Sequence, residues 1–105
     1  KGDENFLQTV VHGFISETEK LLDSLEAALS DGKYSAFKEL AHILKGSSGN
    51  IGAKGLHQIS REMMQLDPTE FQDSAGELLS KAQGNFKSTK LKLVQYMGDS
   101  ERVSI

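Results

Sequence analysis

From Phe6 to Leu29 the apolar residues Phe6, Leu7, Val10, Val11, Phe14, Ile15, Leu21, Leu22, Leu25, Ala28 and Leu29 step by threes and fours, the spacing of one face of an α-helix. Asp3 stands where an N-cap belongs, Asp31-Gly32 supplies a left-handed stop, and Gly13 marks a place where this first helix can kink or break. A second helix is predicted to start around Lys33 to Ser35, with Tyr34, Phe37, Leu40, Ala41 and Leu44 inward, before Gly46-Ser47-Ser48-Gly49-Asn50 loosens it. A third runs from about Ala53 to Leu66 with Leu56, Ile59, Met63 and Leu66 inward; Asp67 then caps, and Pro68 begins, a last helix. That helix carries Phe71, Ala75, Leu78, Leu79, Ala82, Phe86, Leu93, Tyr96 and Met97 at helical period. Strand-like alternation is missing, and the connections near 30–33, 49–53 and 66–68 are short. Short connections make neighbouring helices antiparallel, so the expected fold is all-α, an antiparallel four-helix bundle.

A chain of 105 residues buries one core rather than two, so 1–105 is expected to be a single domain, ordered over about 4–98, with 99–105 a polar tail that frays. Cysteine is absent, which removes disulfides, thiolate metal sites and thiol nucleophiles and fits a cytoplasmic location. No apolar run approaches the roughly 20 residues needed to cross a bilayer, so direct membrane contact is not expected. The net charge is -3 and the lysines are scattered among acids, which gives no basic field for nucleic-acid phosphates. The first residue is Lys1 rather than methionine, which fits a piece of a longer parent. A monomer is expected.

The second helix carries the candidate chemistry. On a wheel of about 100° per residue its apolar set fixes the buried direction, and His42 points roughly 135° away, toward solvent. Lys38 lies one turn before it, Lys45 and Gly46 lie one turn after, and Gly49 follows on the same line. A free imidazole titrates near about 6.5, so an exposed one is substantially neutral and nucleophilic at pH 7 without a dedicated base. An ammonium beside it, Lys45 with Lys38 as an auxiliary, offsets an acquired negative charge by about 1 kcal/mol per contact. Glycine costs a helix interior close to 1 kcal/mol, so the clustering of Gly46, Gly49 and Gly52 near His42 calls for clearance or a tight turn between helices. Without that context, an exposed histidine is more often plain solvated surface.

The run Ala41-His42-Ile43-Leu44-Lys45-Gly46-Ser47-Ser48, followed by Gly52-Ala53 and Leu56, resembles the signature of histidine-containing phosphotransfer (HPt) domains; the rest of the chain matches in helix pattern and length. The resemblance implies phosphorelay signalling, in which Nε2 of His42 takes a phosphoryl group from a receiver-domain aspartate and passes it to another receiver. Lys45 then steadies the phosphate, Gly46 gives clearance, and Gly49 is an auxiliary. It implies receiver domains as partners and Mg²⁺ in the receiver's acidic pocket. This chain would have no cofactor, metal or ATP site of its own, and would be a phosphotransfer intermediate rather than an enzyme. The expected parent is a hybrid sensor histidine kinase, which tethers the domain to the inner membrane. The family often sets a polar side chain on the next helix opposite the phosphohistidine. That position falls near Met64, which leaves Arg61 and Gln65 as auxiliary candidates.

Ile43 also points away from the buried set, about 100° around the helix from His42. With Phe14 and Ile15 of the first helix it is expected to form an apolar rim on which the receiver docks. Neither His12 nor His57 has a histidine four residues away, so both read as surface or core-edge residues and not as zinc ligands. Gly46-Ser47-Ser48-Gly49 lacks the preceding strand and the lysine-serine ending of a nucleotide loop. No acid is placed to orient His42 for acyl transfer through the serines, and the single Glu39/His42 pairing does not make a di-metal bundle. The second reading is a non-catalytic docking module, in which phosphorylation of His42 is regulatory or unused.

Overall fold

The computed structural model describes residues 2–104, with side chains for 6–97. Four helices follow one another: α1 Gly2–Ser30, α2 Tyr34–Ile51, α3 Lys54–Gln65 and α4 Pro68–Ser104, with no strand among the described residues. α1 packs on α2 and α4, and α3 packs on the same two, so each helix lies beside two neighbours around a common core. The core is mainly apolar: Leu25 from α1, Phe37, Ala41 and Leu44 from α2, Leu56 and Met63 from α3, and Ala75 and Ala82 from α4 are fully enclosed, together with the hydroxyl residues Thr18, Ser48 and Ser60. Burying side chains of this kind contributes about 1.5–3 kcal/mol for each of the larger ones, which is what holds helices of only moderate propensity. The cap at Asp3 and the polar tail 99–105 fall outside the residues whose side chains are described.

Three polar devices set the helix ends. The Asp67 carboxylate accepts from the Glu70 N–H at 2.8 Å while the Asp67 N–H donates to the Glu70 carboxylate at 3.0 Å. This reciprocal pair satisfies two N-terminal donors just where Pro68, which lacks one, opens α4. Tyr34 donates its hydroxyl to the Leu66 carbonyl at 2.6 Å and stacks edge-on with Phe71, so the start of α2 is tied to the end of α3. Gly52 closes α2 in the left-handed region at φ 78°, its N–H donating to the Gly49 carbonyl and the Ala53 N–H to that of Ser48.

The pattern of the sequence misplaces several details. α1 runs without interruption through Gly13, so there is no break there. α2 does not loosen at Gly46 but continues to Ile51, because Leu44 and Ser48 are fully enclosed against neighbouring helices and packing outweighs the glycine penalty. Phe6, Val10 and Tyr96 are exposed rather than inward, Phe6 by 71%. α2 and α3, with 18 and 12 residues, are much shorter than α1 and α4, with 29 and 37. The long pair therefore outruns its partners. The molecule is accordingly a rod, 54 × 19 × 19 Å.

Candidate functional site

The inward stripe of α2 is Phe37, Ala41, Leu44 and Ser48, and it dictates what the opposite face shows. His42 is exposed there, at the mouth of a shallow hollow of about 270 Å³ that it lines with Lys45, Gly46, Gly49, Asn50 and His57. Lys45 is half-buried along the same wall. It follows His42 by three residues, the spacing that makes side chains neighbours on one helix surface. Ser48 turns inward instead, donating to the Leu44 carbonyl at 2.6 Å, so it satisfies itself within the core and takes no part in the hollow.

The three glycines answer three different demands. A Cβ on Gly52 would be strained at its positive φ. At Gly49 it would stand 3.1 Å from Nδ1 of His57, so glycine there lets α3 approach α2. At Gly46 it would meet nothing within 4 Å. Close approach within the fold therefore does not require a glycine at Gly46, and the space beside it lies open next to His42.

On the other side of Gly46 a wider groove of about 570 Å³ separates α2 from α1, with Val10, Gly13, Phe14, Ile43 and Ile51 among the residues that line it. Ile43 is half-exposed on its rim. Gly13, like Gly46, has open space where its Cβ would be, so both helices present bare backbone to this groove. Phe14 and Ile15, expected on the rim, are instead core residues, 6% and 9% exposed. Phe14 packs edge-on against Phe86 of α4 at 6.3 Å and supplies only part of the groove wall, while the exposed apolar partner of Ile43 on α1 is Val10. The helical period gives the width of the apolar stripe on α1, but α1 faces two neighbours, and that shifts the centre of the stripe.

The auxiliary candidates fare differently. Lys38 is turned back along α2, donating to the Tyr34 hydroxyl at 3.2 Å with its ammonium 5.2 Å from the centre of that ring, so it is engaged away from His42. Arg61 and Gln65 are exposed on α3, and neither lines the hollow; Gln65 lies along a different surface depression with Glu62 and Glu70. Met64 is half-buried against the core. The polar side chain that α3 does bring to the hollow is His57, read from the sequence as mere surface or core edge. Its Nδ1 lies 3.0 Å from the Lys45 carbonyl. A signal for this exists in the chain: the tight turn at Gly52-Ala53 folds the end of α2 back along the start of α3, so residues three to four positions from the turn on either side, Gly49 and His57, come together.

A family model for the Hpt domain matches residues 9–83, from the second turn of α1 well into α4 and across the whole of α2 and α3. The chain belongs to the Hpt domain family. Its function is therefore histidine phosphotransfer in phosphorelay signalling, and its partners are receiver domains of two-component systems. The all-α bundle of four helices agrees with that membership. No curated protein and no solved structure gave a match to the chain. Among the described residues no helix is long and apolar enough to cross a membrane, and no group of three or more His, Cys, Asp or Glu side chains is placed to hold a metal ion.

Proposed function

We propose that His42 is the phosphoryl acceptor and that this Hpt domain relays the group from one receiver aspartate to another. The observation that carries the reading is the exposed imidazole of His42 on a continuous helix, with Lys45 in the same hollow and no bulky side chain at Gly46. The Nε2 lone pair attacks the phosphorus of an aspartyl phosphate. The N–P bond forms as the acyl O–P bond breaks, the receiver carboxylate leaves with the electron pair, and the ring proton stays on Nδ1. Transfer onward is the same step in reverse toward a second carboxylate. Catalytic acids and Mg²⁺ belong to the receiver's acidic pocket, and this domain contributes nucleophile and docking surface. It is in this reading a phosphotransfer intermediate without an ATP site, monomeric and cytoplasmic, within a hybrid sensor kinase as parent.

Docking uses the α1/α2 groove, with Val10 and Ile43 as apolar contacts and Gly13 and Gly46 letting the receiver approach the backbone. Incubation with a phosphorylated receiver is expected to place an acid-labile, base-stable label on this chain. His42→Gln is expected to keep the helical circular dichroism and receiver binding and to lose the label entirely. Label that survives in His42→Gln sinks the assignment. Binding without any label on the unaltered chain favours instead the docking module, for which the open groove is the supporting feature.

A further inference from the structure

His57 is the one titratable group that α3 brings to the hollow beside His42, and the fold holds it there in a defined state. A backbone carbonyl only accepts, so the 3.0 Å contact between Nδ1 of His57 and the Lys45 carbonyl puts a proton on Nδ1. The neutral ring then carries its lone pair on Nε2, and a second proton adds there. Gly49 provides the room: the ring's Nδ1–Cε1 edge lies 3.1–3.3 Å from where a Cβ would be. The half-buried imidazole is thus held along its Nδ1–Cε1 edge, by the Lys45 carbonyl and against Gly49.

The charges around it point one way. Across on α2 stand His42 and Lys45; along α3, Lys54 and Arg61 lie one turn to either side; on α4, Lys92 lies beyond Lys54 along a neighbouring depression. α1 contributes no residue to the hollow. The nearest carboxylates along the two helices, Glu39 and Glu62, do not line it either. With no resident anion, the hollow acquires one only when His42 is phosphorylated, and a phosphoryl group brings close to two negative charges.

We propose that His57 forms the second wall of the phosphoryl site, taking up a proton at Nε2 when His42 carries a phosphoryl group and facing that anion as a cation. This rests on His42 being the acceptor. It assigns to the His57 position the polar contact from α3 that Met64, Arg61 and Gln65 do not make in the hollow. Coupling is reciprocal: phosphorylation favours the protonated ring, and the protonated ring favours the phosphorylated state by the same factor, about fivefold for a partly exposed pair. The contribution is present at low pH and is lost as pH rises through the titration of the ring.

The test uses the full chain with phosphoramidate as a small-molecule phosphodonor, and follows the ring resonances of His57 by NMR across pH with and without label. On phosphorylation the His57 titration is expected to move to higher pH by about 0.7 of a unit, the pH equivalent of a fivefold coupling, while His12 on α1 stays put. In His57→Gln, whose amide can keep the contact with the Lys45 carbonyl but cannot titrate, the phosphorus resonance of the labelled chain is expected to lose the matching step. Label on His42 with an unmoved His57 titration overturns the role of His57 and leaves the acceptor reading standing. Absence of label on His42 overturns the acceptor reading and this inference with it.

Discussion

Where α2 begins, the molecule is closed on itself; two turns further along and on the opposite face, it is left open. At the closed end Tyr34 donates to the Leu66 carbonyl, Lys38 folds back over the Tyr34 ring, and Phe37 and Tyr34 both meet Phe71 edge-on at 5.3 and 5.6 Å. Around His42 the protein makes no comparable use of its own surface. Gly46 has empty space before it, Ile43 stands half in water, and the groove toward α1 is floored in part by bare backbone at Gly13. The difference separates what folds the domain from what it does. Self-complementary contacts at one end make α2 a rigid post, and under the proposed docking the opposite face withholds such contacts for the receiver.

The sharpest break in this comparison is Phe37→Ala. Phe37 is fully enclosed and meets Phe71 of α4 edge-on at 5.3 Å, so truncation is expected to cost about 3–5 kcal/mol in urea unfolding. The fraction that stays folded should still accept a phosphoryl group at the unaltered rate. If the folded variant transfers poorly, the two ends are not separable. Gly46→Leu is the converse experiment. A Cβ there meets no atom within 4 Å and the change removes a helix-interior glycine, so stability should hold or rise by up to about 0.8 kcal/mol. Transfer from a phosphorylated receiver should nonetheless fall on the order of a hundredfold, since the approach to His42 is displaced by a side chain's width. An unchanged transfer rate would show that Gly46 is not there for the partner.

Much of this was legible in the chain. The three- and four-residue spacing of Phe37, Ala41 and Leu44 fixes the buried side of α2, and with it the outward aim of His42. Asp67-Pro68 announces the start of α4. What the spacing does not carry is the contact between elements. Gly46 to Asn50 stays helical because Ser48 is enclosed against other helices, and local propensity knows nothing of that. Phe14 and Val10 exchange roles because α1 is covered on two sides at once. Lys38 has Tyr34 one turn behind it and His42 one turn ahead, and the sequence alone does not choose between them; the partly buried hydroxyl of Tyr34, held by Leu66, does. His57 was missed because its significance lies in the register of α3 on α2, set by the turn at Gly52 and not by any motif around His57 itself.

A smaller effect is expected from Lys45→Ala. Its ammonium is partly exposed, so losing it should reduce the level of phosphorylated His42 at equilibrium with a phosphorylated receiver by about fivefold, the worth of one screened charge contact. The backbone carbonyl that orients His57 is untouched by this change. A loss far larger than this would mean that Lys45 acts in the transfer step itself and not only on the phosphorylated state.

The finest discrimination comes from two alanines one turn apart. Gly46 and Gly49 both sit inside α2, both lie in the left-to-right line of the hollow with His42, and on propensity alone each replacement should gain up to about 1 kcal/mol. Only Gly46→Ala is free to collect that gain, which for a domain of this size raises the unfolding midpoint by about 4–8 °C per kcal/mol. In Gly49→Ala the new methyl stands 3.1 Å from Nδ1 and 3.3 Å from Cε1 of His57. The ring must yield, which weakens its donation to the Lys45 carbonyl and cancels the helical gain, so the midpoint should stay level or fall. Pairing the change with His57→Ala removes the obstacle, and Gly49→Ala in that background should then stabilise the fold as Gly46→Ala does. Equal gains for both alanines in the unaltered background would mean that α3 does not need Gly49 in order to approach α2. The contrast between a glycine kept for the fold and a glycine kept for the partner would then be lost.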